Sequence, residues 1–144
     1  MKITSRFTVA VHTLLAIHTF AKDYKTTSEF IASSVNVNPV IIRRTLGSLK
    51  DAGIVSVKAG SGGATIIKPL EDITLLDVYR AVDSVEDGLF NFHDDPNPAC
   101  PVGRNIHAVL DGRLFDAQDA MERELQKVTF ADLTRELDMR VKRE

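Results

Sequence analysis

Apolar residues recur at helical spacing in six stretches of this chain, and one pair of β-branched runs interrupts them. Ile3, Phe7, Ala10, Leu14 and Ile17 share one face, so a helix capped by Thr4 or Ser5 and running to about residue 21 is expected. Thr27 opens a short helix over about 28–34, with Phe30, Ile31 and Val35 inward. Asn38 and Pro39 open a third over 39–52. Asparagine can accept a free amide there, and proline lacks the amide that would be unpaired. Ile42, Leu46 and Leu49 form its inward stripe, and Gly53 can close it in the left-handed conformation. Ile54–Lys58 and residues 64–68 flank a small-residue tip, which predicts a hairpin over 54–68. Thr74, with Asp77 three residues on, opens a fourth helix with Leu75, Val78, Tyr79 and Val82 on one face. Residues 86–101, starting Glu86-Asp87-Gly88 and holding three prolines, read as a loop.

From about 101 to 127 the apolar positions are Val102, Ile106, Leu110, Leu114, Ala117, Met121, Leu125 and then Val128. Steps of four and three at this ratio follow a nearly straight helix, roughly 40 Å long for about 27 residues. So long a rod suits packing against an identical rod from a second subunit. Thr129 with Asp132 opens a last helix over about 130–141, whose Phe130, Leu133 and Leu137 are expected to fold back on the rod. The fold class is mainly α with a small β-hairpin wing. Residues 1–70 form a winged helix-turn-helix domain, and 71–144 hold the connecting helix, loop and dimerisation helices.

The third helix carries the chemistry. Opposite its inward stripe, Val40, Arg43, Arg44 and Gly47 lie on one face with two guanidinium groups and no acid. A major groove accepts such a helix, and arginine can pair bidentately with guanine. Two paired copies about 34–36 Å apart would meet successive major grooves, an independent motive for a dimer.

Charge distribution sharpens this reading. The chain of 144 residues has net charge −2, which by itself disfavours nucleic acid. Residues 1–69, however, hold nine Lys/Arg against three acids, +6, whereas 70–144 hold nine against seventeen, −8. Only the first half is suited to face phosphates. Apolar content of 44% is ordinary for a globular protein, and no run approaches the roughly 18 apolar residues of a membrane span. His12, Thr13 and His18 break the opening apolar stretch, so it reads as a core helix and not a leader, and a cytoplasmic protein is expected.

A single cysteine, Cys100, precludes an internal disulfide. It also leaves an iron–sulfur cluster short of thiolates, so no such cofactor is expected. His93, Asp94, Asp95, Cys100 and His107 offer zinc-type donors without a recognised spacing. Cys100 precedes Pro101 at the start of the rod, where the helix dipole favours a thiolate, so it is a candidate redox sensor. An unknown small effector is the alternative control. His12 and His18 read as packing or surface residues. A thiol enzyme built on Cys100 lacks an orienting third group, and Gly60–Gly63 lacks the lysine and following helix of a phosphate loop. A winged module that binds protein and not DNA is the remaining alternative to a DNA-binding regulator.

Several segments resemble the Rrf-two family of bacterial transcription regulators, the group containing IscR and NsrR. They are Met1–Val11, Ala52–Gly63, Ile73–Val82 and Val128–Leu133, in the family's order across nearly the whole chain. Residues 97–103, Asn-Pro-Ala-Cys-Pro-Val-Gly, resemble the YwnA-like branch without the three-cysteine cluster motif. The resemblance implies a homodimer with crossed long helices and palindromic double-stranded DNA as target. By position it implies DNA contacts at Asn38, Val40, Ile41, Arg43 and Arg44 in the helix and Lys58, Gly60 and Ser61 in the wing. Lys2, Thr4 and Arg6 would reach phosphates. Two departures stand out: the wing continues Gly63-Ala64 where the family places an aromatic, and cluster-binding members use three cysteines.

Overall fold

The structure is a computed structural model and describes residues 4–60, 62–82 and 89–144. Each of the first three helices starts where a side chain can replace a missing amide partner. Helix α1 (Ser5–Phe20) is capped by Thr4, whose Oγ1 accepts the Arg6 N–H at 3.2 Å. Helix α2 (Ser28–Val35) is capped by Thr27, which accepts from Phe30 at 3.2 Å. It stops at Asn36, held left-handed at φ +65°. Helix α3 (Pro39–Asp51) begins with the Asn38 carbonyl oxygen accepting the Val40 N–H at 2.9 Å. It ends one residue earlier than expected, with Ala52 as its cap, followed by Gly53 at φ +75°.

Strands β1 (Val55–Lys58) and β2 (Gly63–Ile66) pair antiparallel, with Val55 opposite Ile66 and Lys58 opposite Gly63. The second strand therefore starts one residue and ends two residues earlier than the β-branched run 64–68 implies. The cause is a long-range anchor. The Ala64 N–H donates to the Thr26 carbonyl at 2.9 Å, and the buried Thr26 hydroxyl donates back to the Ala64 carbonyl at 2.6 Å. Extended chain at Thr26 thus borders β2 on its free side.

A 3-10 turn at Leu70–Asp72 leads to helix α4 (Leu75–Val82). Its capping box forms as expected: the Thr74 N–H donates to Asp77 at 3.0 Å and the Asp77 N–H to the Thr74 hydroxyl at 3.1 Å. Val78 and Tyr79 are buried, and Leu76 joins them in place of Leu75, which is half-buried. Helix α5 (Pro101–Gln126) is a 26-residue rod, roughly 39 Å long. Helix α6 (Phe130–Lys142) opens with a second capping box at Thr129 and Asp132.

The expectation that α6 folds back along the rod is not met. It lies against the 3-10 turn and α1. Two backbone bonds clip its start to the start of α4: Leu75 N–H to the Val128 carbonyl at 3.0 Å and Phe130 N–H to the Ile73 carbonyl at 2.8 Å. Phe130 is drawn into the same core as Leu14, Ile17, Ile31, Ile42, Leu49, Ile54 and Val78. That core belongs to the helix-turn-helix and wing. No residue of α5 is buried.

Candidate nucleic-acid interface

Helix α3 divides cleanly. Ile42, Leu46 and Leu49 are no more than 3% exposed, and Thr45 on the same side turns its hydroxyl back to the Ile41 carbonyl at 2.8 Å. On the other side Val40 and Ile41 are 44% and 39% exposed, and Arg43 and Arg44 are exposed with them. Burial of the first set holds the second set rigidly outward. Gly47 is half-buried, with open space where a side chain would begin.

Two hollows flank this face. One, about 300 Å³, lies between the start of α1 and α3 and brings Ser5 and Arg6 together with Ile41, Arg44 and Ser48. The other, about 490 Å³, lies between α2, α3 and the wing and brings Arg43 together with Lys58 and Gly60. Thr27, Ser28 and Glu29, not among the contacts expected from the sequence, share it. A signal existed: they form the first turn of α2, where free amides and the dipole favour anions. Thr4 and Asn38 serve first as caps, and the Arg6 Nε leans on the Thr4 hydroxyl at 3.3 Å. Lys2 and Ser61, expected among the contacts, lie outside the described residues, as does the Glu86-Asp87-Gly88 segment.

Cys100 is half-exposed at the start of α5. The backbone N–H groups of Gly103 and then Val102 hold its thiol below the ordinary value. The preceding loop is seated close: a methyl group at Gly103 would come within 2.5 Å of the Asn97 carbonyl oxygen. His93, Asp94, Asp95 and His107 line a separate hollow with Phe92, Pro96, Pro98 and Asp111, and Cys100 is not among its walls. His107 Nδ1 is 3.0 Å from Asp111 and its ring centroid 5.2 Å from that of His93. His12 bonds the Ser34 hydroxyl at 2.9 Å, and His18 meets Asp138 at 3.4 Å.

The profile of the Rrf2 family, described as iron-dependent transcriptional regulator, matches residues 3–136. Among the described residues no group of three or more His, Cys, Asp or Glu is arranged to hold a metal, and Cys100 is the one cysteine of the chain. A candidate helix-turn-helix transcriptional regulator of Bacillus subtilis (strain 168), YwnA, is 47% identical over 135 residues, covering 94% of this chain and 98% of its own. A crystal structure described as that of a candidate DNA-binding protein is 43% identical, covers 90% of this chain and 98% of its own, and superposes with a TM-score of 0.70. A candidate transcriptional regulator from Lactobacillus plantarum, 28% identical, covers 96% and 91% with a TM-score of 0.78. The match to the family over almost the full length, on a fold that holds an arginine-bearing helix beside a wing, makes this chain a member of the Rrf2 family of transcriptional regulators.

Proposed function

We propose that the protein is a homodimeric, sequence-specific DNA-binding repressor, with α3 in the major groove and the wing on the backbone or minor groove. The observation that carries this is the outward face of α3: Val40, Ile41, Arg43 and Arg44 exposed together, over a stripe that is fully buried. Direct pairing to base edges requires both the reach of arginine and a helix that cannot roll. A dimer occupying a palindrome blocks other proteins from that DNA, which is why repression is the favoured direction of control. Cytoplasmic action, where the DNA lies, completes the reading, and no described helix is long and apolar enough to cross a membrane.

Dimerisation is supported by α5. Val102, Val109 and Phe115 are more than half exposed on a helix with no buried residue. An apolar groove of about 670 Å³ between α1 and α6, walled by Phe7, Val11, Leu15, Leu125, Leu133 and Leu137, supplies a second uncovered surface. Covering both in a symmetric pair removes more apolar area from water than either does alone. Control of binding is proposed to act through oxidation of Cys100, or through an effector at the loop, because this segment is seated on the N-terminus of the rod.

The test is selection of bound fragments from genomic DNA, with and without oxidant, followed by titration. Arg43→Ala or Arg44→Ala should cost about 1–3 kcal/mol on the selected site if the arginine reads a base. Lys58→Ala should weaken all sequences alike and flatten the salt dependence. Cys100→Ser should keep its DNA under oxidant. A protein that enriches no fragment, or whose affinity ignores salt, ends the reading.

A further inference from the structure

We propose that Glu29 is a positioning residue for Arg43: it holds one corner of the guanidinium so that the rest of the fork faces the bases. The inference deepens the reading of α3 as the groove-reading helix and rests on it. Arg43 Nη2 lies 3.9 Å from Glu29 Oε1, across the gap between α3 and α2. The hollow on this side of α3 is walled by Thr27, Ser28, Arg43, Lys58 and Gly60, and Glu29 is the single carboxylate among its lining residues. The other two acids of residues 1–69, Asp23 and Asp51, are not in its walls. Arg44, by contrast, faces a hollow lined without any acid.

A negative charge on a surface that must approach phosphates is unfavourable unless it serves another contact. Arginine carries five N–H donors in a rigid fork, so one corner can stay on a carboxylate while others remain for a base edge. Glu29 sits in the first turn of α2, where the helix dipole favours an anion. An otherwise free arginine would swing to the nearest phosphate, a contact that carries no sequence information. Held by Glu29, it is kept from phosphates and aimed into the groove. The device lowers binding to arbitrary DNA and leaves binding to the matched site intact.

The experiment uses the full chain in four forms: wild type, Glu29→Gln, Arg43→Ala and the double variant. Each is titrated with a duplex of a selected fragment and with its shuffled sequence, over roughly 50 to 200 mM salt. Glu29→Gln should lower the preference for the selected duplex about two- to fivefold, the range an exposed ion pair can govern. The loss should come from tighter binding to the shuffled duplex, with a salt slope steeper by up to about 0.9. In the Arg43→Ala background the same change should leave the preference unaltered. An unaltered preference in Glu29→Gln alone overturns the proposal. So does an equal change in the Arg43→Ala background, since Glu29 would then act on phosphates directly. A wild-type protein with no preference between the two duplexes overturns this proposal and the regulator reading together, and is recognised from the wild type alone.

Discussion

Replacing Gly63 by alanine should damage the wing more than the same change at Gly60. Gly63 sits at φ +79°, where an L side chain costs about 1–2 kcal/mol. Its added Cβ would also lie 2.9 Å from the backbone nitrogen of Thr26 and 3.0 Å from the carbonyl carbon and oxygen. Backbone cannot swivel aside, so relief requires moving β2 away from Thr26. That strains the Ala64-to-Thr26 amide bond at 2.9 Å and the buried Thr26 hydroxyl bond at 2.6 Å, each worth about 1 kcal/mol. The sum is about 3–4 kcal/mol, or a fall in Tm of roughly 6–16 °C at this chain length. Gly60→Ala supplies the control, because Gly60 has φ +77° but nothing within 4 Å of the added atom. It should show the backbone cost alone. Thermal denaturation of both variants at matched protein concentration separates the terms, matched because an assembling protein melts in a concentration-dependent way. If Gly63→Ala melts no lower than Gly60→Ala, the close approach to Thr26 contributes nothing and the account of how the wing is anchored is wrong.

Other outcomes follow from the same geometry. Val109→Asp changes a side chain 63% exposed, so the fold should survive while sedimentation shows a shift from dimer to monomer; an unchanged sedimentation coefficient would remove α5 from the proposed interface. The amides of Gly103 and Val102 stabilise the Cys100 thiolate, so its alkylation rate should rise with pH through a midpoint below that of a free cysteine, about 8.5; a midpoint at or above that value contradicts the helix-start geometry. Asp132 is held below its ordinary value first by the Thr129 backbone N–H and then by the Thr129 side chain. A depressed folded value means that its contribution is present above the unfolded carboxylate pKa and disappears as pH falls through the folded one. Urea denaturation should therefore show wild type more stable than Asp132→Asn near neutrality, with the advantage fading on acidification; a constant gap would refute the capping role.

What was legible in the sequence was what acts over three or four residues. Thr4, Thr27, Asn38, Thr74 and Thr129 all cap helices, because the acceptor and the amide it serves belong to the same turn. The buried stripe of α3 was legible for the same reason: residues four apart on a helix share a face whatever surrounds them. The misses are contacts between distant residues. The Thr26–Ala64 anchor spans 38 positions, and it decides where β2 starts more strongly than β-branching does. Leu133 and Leu137 stand at apolar positions of the helical repeat, yet periodicity states that a side chain prefers burial and not which surface receives it. The clip between Ile73 and Phe130 settles that by aiming α6 at α1.

The candidate site divides along the same line. Arg43 and Arg44 could be read off as an outward pair, since their exposure follows from the burial of Ile42 and Leu46 on the same helix. Their inequality could not, because it depends on Glu29 in a different helix and on the angle at which α2 and α3 cross. Helix α5 states the limit in its clearest form. Its apolar stripe is legible along the full 26 residues, but Ile106, Leu110 and Leu114 are only half-covered in one chain, and Val102 and Val109 are open. The proposed dimer would cover this stripe, and among the described residues the groove between α1 and α6 is an uncovered surface of matching apolar character.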